Sequence, residues 1–256
     1  MKTPFIGLVA ALVLTVHAAS AADLGLPIKS APPPPPPGPN WTGCYVNGGG
    51  GYGMWNQDNY FEVSTPGLVP LSASATNGGR GWFGVAGGGC DYQFNLLGLG
   101  LVTGAFGDFN FMHLHGSFVE PANFIVADDN ERWAWAAGAR IGYLVAPTVL
   151  TYVNGGYTET KFDQMNFSLA GPPLATTIVL PGQTYRGWFI GGGVEFALTI
   201  LPIPGFFWRN EYRFSSYQNA DITYQLSGIT TPFAEHMRPQ VQTLATEIVY
   251  KLNWTP

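Results

Sequence analysis

The residues best able to do chemistry in this chain recur at every second position. Arg209, Glu211 and Arg213 alternate with Trp208, Tyr212 and Phe214. Glu247 and Lys251 oppose Leu244, Ile248, Tyr250, Leu252 and Trp254. Glu195 falls with Phe189, Gly191, Gly193 and Ala197, against Trp188, Ile190, Val194, Phe196 and Leu198. Arg140 falls with Gly138, against Trp133, Trp135, Ile141, Tyr143 and Val145. A period of two is that of an extended strand. With Asp91 and Asp108 the set holds five acids and four bases. Two chemistries suit a near-balanced set on one face. One is a paired network filling a narrow interior, where charges survive only when paired and hydrogen-bonded. The other is a water or ion pathway gated by those pairs.

Other candidates are local. His113-Leu114-His115 puts two imidazoles on one face of an extended segment near the start of a predicted loop. With Asp128, Asp129 or the distant His236 they could ligate a metal or haem; the alternative is two solvated loop histidines. Gly48-x-Gly50-x-x-Gly53 spells a dinucleotide fingerprint but runs into Met54-Trp55-Asn56 rather than a helix. There is no Gly-x-Ser-x-Gly. No nucleophile is paired with a base, so neither an enzyme nor a cofactor is expected. Cys44 and Cys90 are the two cysteines. They are expected at similar height on neighbouring strands, both on the outward face. An oxidising compartment permits a bridge between them. Two adjacent free thiols are the alternative.

The elements that must position these residues follow from composition. Lys2 is the single charge in the first 22 residues, followed by an apolar run and Ala19-Ser20-Ala21. Residues 1–21 are therefore predicted to be a signal peptide, cleaved after Ala21. Residues 22–40 hold Pro27, Pro32 to Pro37 and Pro39, a semi-rigid spacer or a docking segment. Residues 41–256 form one predicted domain. Charged residues are 11% of the chain and aromatics 14%, against a usual quarter charged in soluble domains. Without residues 1–21 there remain ten basic against 16 acidic side chains. That balance argues against nucleic-acid binding, which needs clustered Lys and Arg.

No apolar stretch after the signal peptide is long enough for a membrane-spanning helix. A chain rich in apolar and aromatic residues but without long apolar runs fits a transmembrane β-barrel, where lipid-facing and interior side chains alternate. A soluble β-sandwich is the competing architecture. Eight strands are predicted, at 41–55, 80–94, 97–109, 132–146, 148–157, 185–198, 206–214 and 241–254. Their connections alternate long (56–79, 110–131, 158–184, 215–240) and short, the short ones near 95–96, 146–148 and 199–205. The fold class is all-β, an eight-stranded antiparallel up-and-down transmembrane barrel with both ends in the periplasm. A charge facing lipid is costly, so the nine charges point inward. Tyr92, Phe94, Tyr143 and Trp254 fall near one rim and Trp82, Phe109, Trp133 and Trp188 near the other, where aromatic belts belong.

Trp41-Thr42-Gly43-Cys44-Tyr45-Val46, leading to Gly51-Tyr52-Gly53, resembles the opening strand of the alphaproteobacterial outer-membrane immunogenic β-barrel family. Gly87-Gly88-Gly89-Cys90-Asp91-Tyr92-Gln93, Ala139-Arg140-Ile141-Gly142-Tyr143, Gly191-Gly192-Gly193-Val194-Glu195-Phe196 and Glu211-Tyr212-Arg213-Phe214 match in order and spacing. That family is similar to the transmembrane domain of outer-membrane protein A. The resemblance implies surface antigens with structural or weak porin-like roles; haem binding has been proposed for some relatives. The chain departs at Phe106, where relatives often carry an acid, and at Thr255-Pro256 after the last aromatic. The partners expected are outer-membrane lipid and lipopolysaccharide and the barrel assembly machinery, with the chain a monomer. An adhesin-like surface recognition protein acting through its loops is the alternative function.

Overall fold

The computed structural model describes residues 39–64, 67–120, 125–169, 178–200 and 204–252. The predicted signal peptide, all of the Pro-rich segment but Pro39 and Asn40, Trp254 and the chain end at Thr255-Pro256 lie outside the described residues. The described residues form β1 (Gly43–Val63), β2 (Val69–Pro70), β3 (Ala75–Leu96), β4 (Leu99–Glu120), β5 (Ile125–Ala146), β6 (Val149–Phe162), β7 (Met165–Leu169), β8 (Ile178–Leu180), β9 (Thr184–Ala197), β10 (Phe206–Tyr217), β11 (Ala220–Leu226) and β12 (Ile229–Lys251). All pairings are antiparallel. The order β1-β3-β4-β5-β6-β9-β10-β12 closes on itself through β1 and β12. That ring of eight leaves no exposed sheet edge.

The long connections expected at 110–131, 158–184 and 215–240 are largely strand. Three staves are bent rather than finished. β6 breaks at Asp163-Gln164 and continues as β7; β8 breaks at Pro181 to Gln183 before β9; β10 breaks at Gln218-Asn219 and continues as β11. Above these breaks the hydrogen-bonded order runs β5-β7-β8-β11-β12, so the wall carries on upward. Pro181 has no N–H to donate to a ladder, which suits it to a break. The breaks fall side by side and form a waist, tied by Phe162 N–H to the Gln183 carbonyl and Gln218 N–H to the Arg186 carbonyl. β1 has 21 residues, about 70 Å of strand. A membrane crossing takes about 9–11 residues, so roughly half of β1 stands outside.

One expected tight turn is displaced, and a second lies inside a segment expected to be a long connection. The turn expected near Asn95-Leu96 is at Leu97-Gly98, with φ of 53° and 82°. Ser227-Gly228 repeats this, with φ of 48° and 82°. A two-residue hairpin of this hand needs positive φ at both centres. Glycine supplies the second without strain, which sets the first turn two residues later than expected.

Facing is inverted relative to a soluble protein. Leu244, Ile248 and Tyr250 of β12 are exposed on the outer face, as are Ile141, Tyr143 and Val145 of β5 and Trp208 and Tyr212 of β10. Lys251, Arg140, Glu195 and Arg209 are buried inside. Only lipid outside makes this pattern favourable, since an apolar outer belt costs free energy in water. Further up β12, Gln242 and Gln240 replace apolar residues on the outer face, which marks the edge of the belt. Ile248→Arg, at the belt's centre, is expected to destabilise the barrel by about 2–4 kcal/mol, and Gln240→Arg by about 0–1. Urea unfolding in lipid vesicles checks this, and equal effects at the two sites would contradict the belt.

Candidate functional site

All nine charges named from the sequence project into the lumen, and the structure joins them into two linked groups. The lower group centres on Arg140. Its guanidinium donates to both Asp91 oxygens at 2.9 and 2.6 Å and to Glu195 Oε2 at 3.1 Å. Arg209 donates twice to the same Glu195 oxygen, at 3.0 and 2.9 Å. Lys251 Nζ donates to Asp91 at 2.7 Å and to the Trp41 carbonyl at 3.2 Å. Arg209 reaches on to Glu247 at 3.6 Å. The upper group centres on Arg213, which takes Asp108 in a two-pronged grip at 3.0 and 2.7 Å and Glu211 at 2.8 Å. Forked pairs of this kind are strong and directional. Tyr152 donates to Glu211 at 2.8 Å and Asn47 to Glu247 at 2.6 Å.

Aromatic rings wall these charges in. The Arg140 guanidinium lies 4.9 Å from the ring centres of both Tyr45 and Tyr152. Arg213 lies 4.5 Å from Phe189, and Lys251 5.4 Å from Trp41. Such contacts favour a desolvated cation over an aromatic face. Glycines make room for the rings. A Cβ at Gly89 would stand 2.7 Å from the Tyr45 hydroxyl, and one at Gly193 would stand 2.6 Å from that of Tyr152.

Apolar clusters cap the charged layer at both ends. Below it lie Trp41, Val102, Leu150, Phe207 and Val249. Above it lie Trp55, Phe83, Leu114, Phe162, Tyr185, Tyr217, Met237 and others. The space left among Asn47, Phe106, Asp108, Arg140, Arg209, Glu211, Arg213 and Glu247 is about 10 Å³, too little for a column of water.

The remaining candidates sit elsewhere. Cys44 and Cys90 face each other across β1 and β3 and are joined by a disulfide near the lower rim. His113 and His115 lie on the exposed outer face of β4, within strand rather than at a loop. His113 stands opposite Trp82, and the His115 ring contacts Asn130 at 2.8 Å. Asp128 and Asp129 are split between the outer and inner faces of β5, so the histidine pair gathers no ligand set with them. His236 lies on β12 beside Asp221. Gly48, Gly50 and Gly53 lie within β1, with no helix after them.

Sequence reasoning named Asp129 only as a loop ligand and missed Glu62, Glu131 and Glu235; all four acids are buried in the upper barrel. Period two places Asp129 and Glu131 on the inner face, but they fell inside a segment read as loop. Burial pushes the Asp129 carboxyl up to about 7 and the Glu131 carboxyl up to about 8, the latter against a hydrogen bond from Thr160.

The family model for the outer membrane protein beta-barrel domain matches residues 7–231. The chain belongs to this family. Its barrel is therefore a bacterial outer-membrane barrel, with the apolar belt in the lipid. Among solved structures, it is similar to Ail, the attachment invasion locus protein of Yersinia pestis, at 15% identity over 82% of this chain and 99% of that one, TM-score 0.32. Neisserial surface protein A is similar at 14% identity over 82% and 98%, TM-score 0.36. The outer membrane protease OmpT from Escherichia coli is similar at 10% identity over 84% and 98%, TM-score 0.43. No curated protein matches the chain in sequence.

The upper acids give this outer-membrane barrel a pH dependence. Folded Asp129 and Glu131 keep protons that the unfolded chain releases above about pH 4. Their contribution is thus fully favourable below that value and is lost as pH rises through about 7 and about 8. The urea midpoint is expected to fall between pH 5 and pH 9, and Asp129→Asn/Glu131→Gln is expected to flatten that slope. A slope unchanged in the double variant would contradict the assignment.

Proposed function

We propose that this barrel is a closed structural scaffold whose biological work is surface recognition by its extracellular half, without passage of solutes and without catalysis. The observation that carries this reading is the filled lumen. Paired charges occupy the membrane layer, the gap between the Arg140 and Arg213 groups holds about 10 Å³, and apolar clusters stand above and below them. A weak porin role would need a continuous polar path through both clusters.

The upper lip supports the recognition half of the reading. Leu68, Val69 and Leu71 are exposed beside Phe233. Val63 of β1 pairs with Val69 on one side and Phe233 on the other, which brings these three together at the lip. Exposed apolar groups clustered beyond the lipid belt suit contact with a macromolecule. Lipopolysaccharide around the belt and the assembly machinery remain the expected envelope partners, with the barrel a monomer. An antigenic role follows from exposure of the same lip.

Planar-bilayer recording of the purified barrel is expected to show no steps above background. Leu68→Ser/Leu71→Ser/Phe233→Ser in cells is expected to lower surface adhesion while leaving envelope leakage unchanged. Stepwise conductance from the wild type would overturn the closed-scaffold reading, and unaltered adhesion would overturn the placement of recognition at the lip.

A further inference from the structure

One cluster on the extracellular wall has no part in the lumen network. Three neighbouring strands build it. Register sets Tyr60 of β1 and Asp221 of β11 on either side of His236 of β12. Glu62 lies two residues beyond Tyr60 on the same face. Donor atoms of Glu62, Asp221 and His236 all lie within 4.8 Å of one another, and among the described residues no other trio of His, Cys, Asp or Glu does so. His236 Nδ1 sits 2.5 Å from Asp221 Oδ1. The imidazole stacks on Tyr60 with ring centres 4.6 Å apart and planes 11° apart, which holds its orientation.

Glu62 is the independent sign that something belongs there. It is 1% exposed, and its Oε1 has no hydrogen-bond partner. A buried carboxylate oxygen without a partner is costly and calls for an explanation. The Asp221 carboxylate is its near neighbour, so two acid groups face each other beside the imidazole. Two carboxylates beside one imidazole want a cation between them.

We propose that Glu62, Asp221 and His236 form an extracellular site for one divalent transition-metal ion, Zn²⁺ in the first instance. An imidazole nitrogen with two carboxylate oxygens suits Zn²⁺ and disfavours Ca²⁺ and Mg²⁺, which take oxygen alone. Tetrahedral bonds of about 2.0–2.1 Å put donors about 3.3 Å apart. Binding therefore opens the His236–Asp221 contact and draws Glu62 inward. Three protein ligands leave a fourth position for water or an outside donor. His236 and Asn219 also line a groove of about 530 Å³ at the waist, bordered by Trp188 and Arg238, through which such a donor has access. The ion ties β1, β12 and β11 together across the lip. It also balances charge that the described side chains leave uncompensated.

The test is calorimetric titration of the refolded full-length barrel in detergent with ZnCl₂, with CaCl₂ and MgCl₂ as separate arms. One equivalent of Zn²⁺ is expected, with binding weakened by at least about tenfold in Glu62→Gln and in His236→Gln. His113→Ala/His115→Ala is expected to bind as the wild type does. X-ray absorption of the wild-type zinc complex, which needs no variant to fold, is expected to show one imidazole among oxygen donors. The proposal is overturned by no binding, by binding equal in wild type and both ligand variants, by loss in the His113/His115 variant, by equal affinity for Ca²⁺, or by a shell without imidazole.

Discussion

A charge inside a lipid-ringed barrel has no water to turn to, and the rest of this molecule is arranged around that constraint. Arg140 is held by Asp91 and Glu195, Glu195 also holds Arg209, and Asp91 also holds Lys251. No pair in this network can be removed alone, because Asp91 serves two bases and Glu195 three. Breaking one partner of such a buried set costs about 3–5 kcal/mol, since the other is left charged and bare. The apolar clusters above and below exclude water, which strengthens each pair and raises the penalty for losing one. The tyrosines that flank Arg140 and the glycines that admit their rings serve the same end.

Outside the lipid the problem changes, and so does the wall. Above the belt the lumen is mainly apolar, and two of the acids buried there, Asp129 and Glu131, have no lysine or arginine among the groups that shift them. Burial raises the proton affinity of both instead. Three of the eight staves break at a common height, where Asp163-Gln164, Pro181 to Gln183 and Gln218-Asn219 interrupt the ladders. The two storeys thus have different interiors: ion-paired within the membrane, mainly apolar beyond it.

Much of the lower storey was legible in the sequence. Alternation in β9, β10 and β12 is so regular that Glu195, Arg209, Glu211, Arg213, Glu247 and Lys251 could be assigned inward without a structure. The penalty for a lipid-facing charge permits no other choice. The upper storey was not legible because its interior lacks that penalty. Segments such as 158–184 mix Gly, Pro and polar residues with short apolar runs, and a strand there needs neighbours to pair with before it exists. β7, with five residues, and β8, with three, are stable only within the sheet. The Glu62–Asp221–His236 grouping was hidden for a related reason. Its members lie 159 and 15 positions apart in the chain, and only the closure of β1 onto β12 brings them together. His113 and His115 carried the stronger sequence signal and proved to stand apart.

The central claim is that the membrane layer of the lumen is a locked, dry network of paired charges. Solvent exchange of the arginine Nε–H protons, measured by NMR on the barrel in lipid nanodiscs, reads this directly. Arg140, Arg209 and Arg213 are expected to give separate resonances that exchange with water far more slowly than the exposed Arg186. Exchange at the rate of Arg186 for all three would show a wet, mobile lumen and contradict the account.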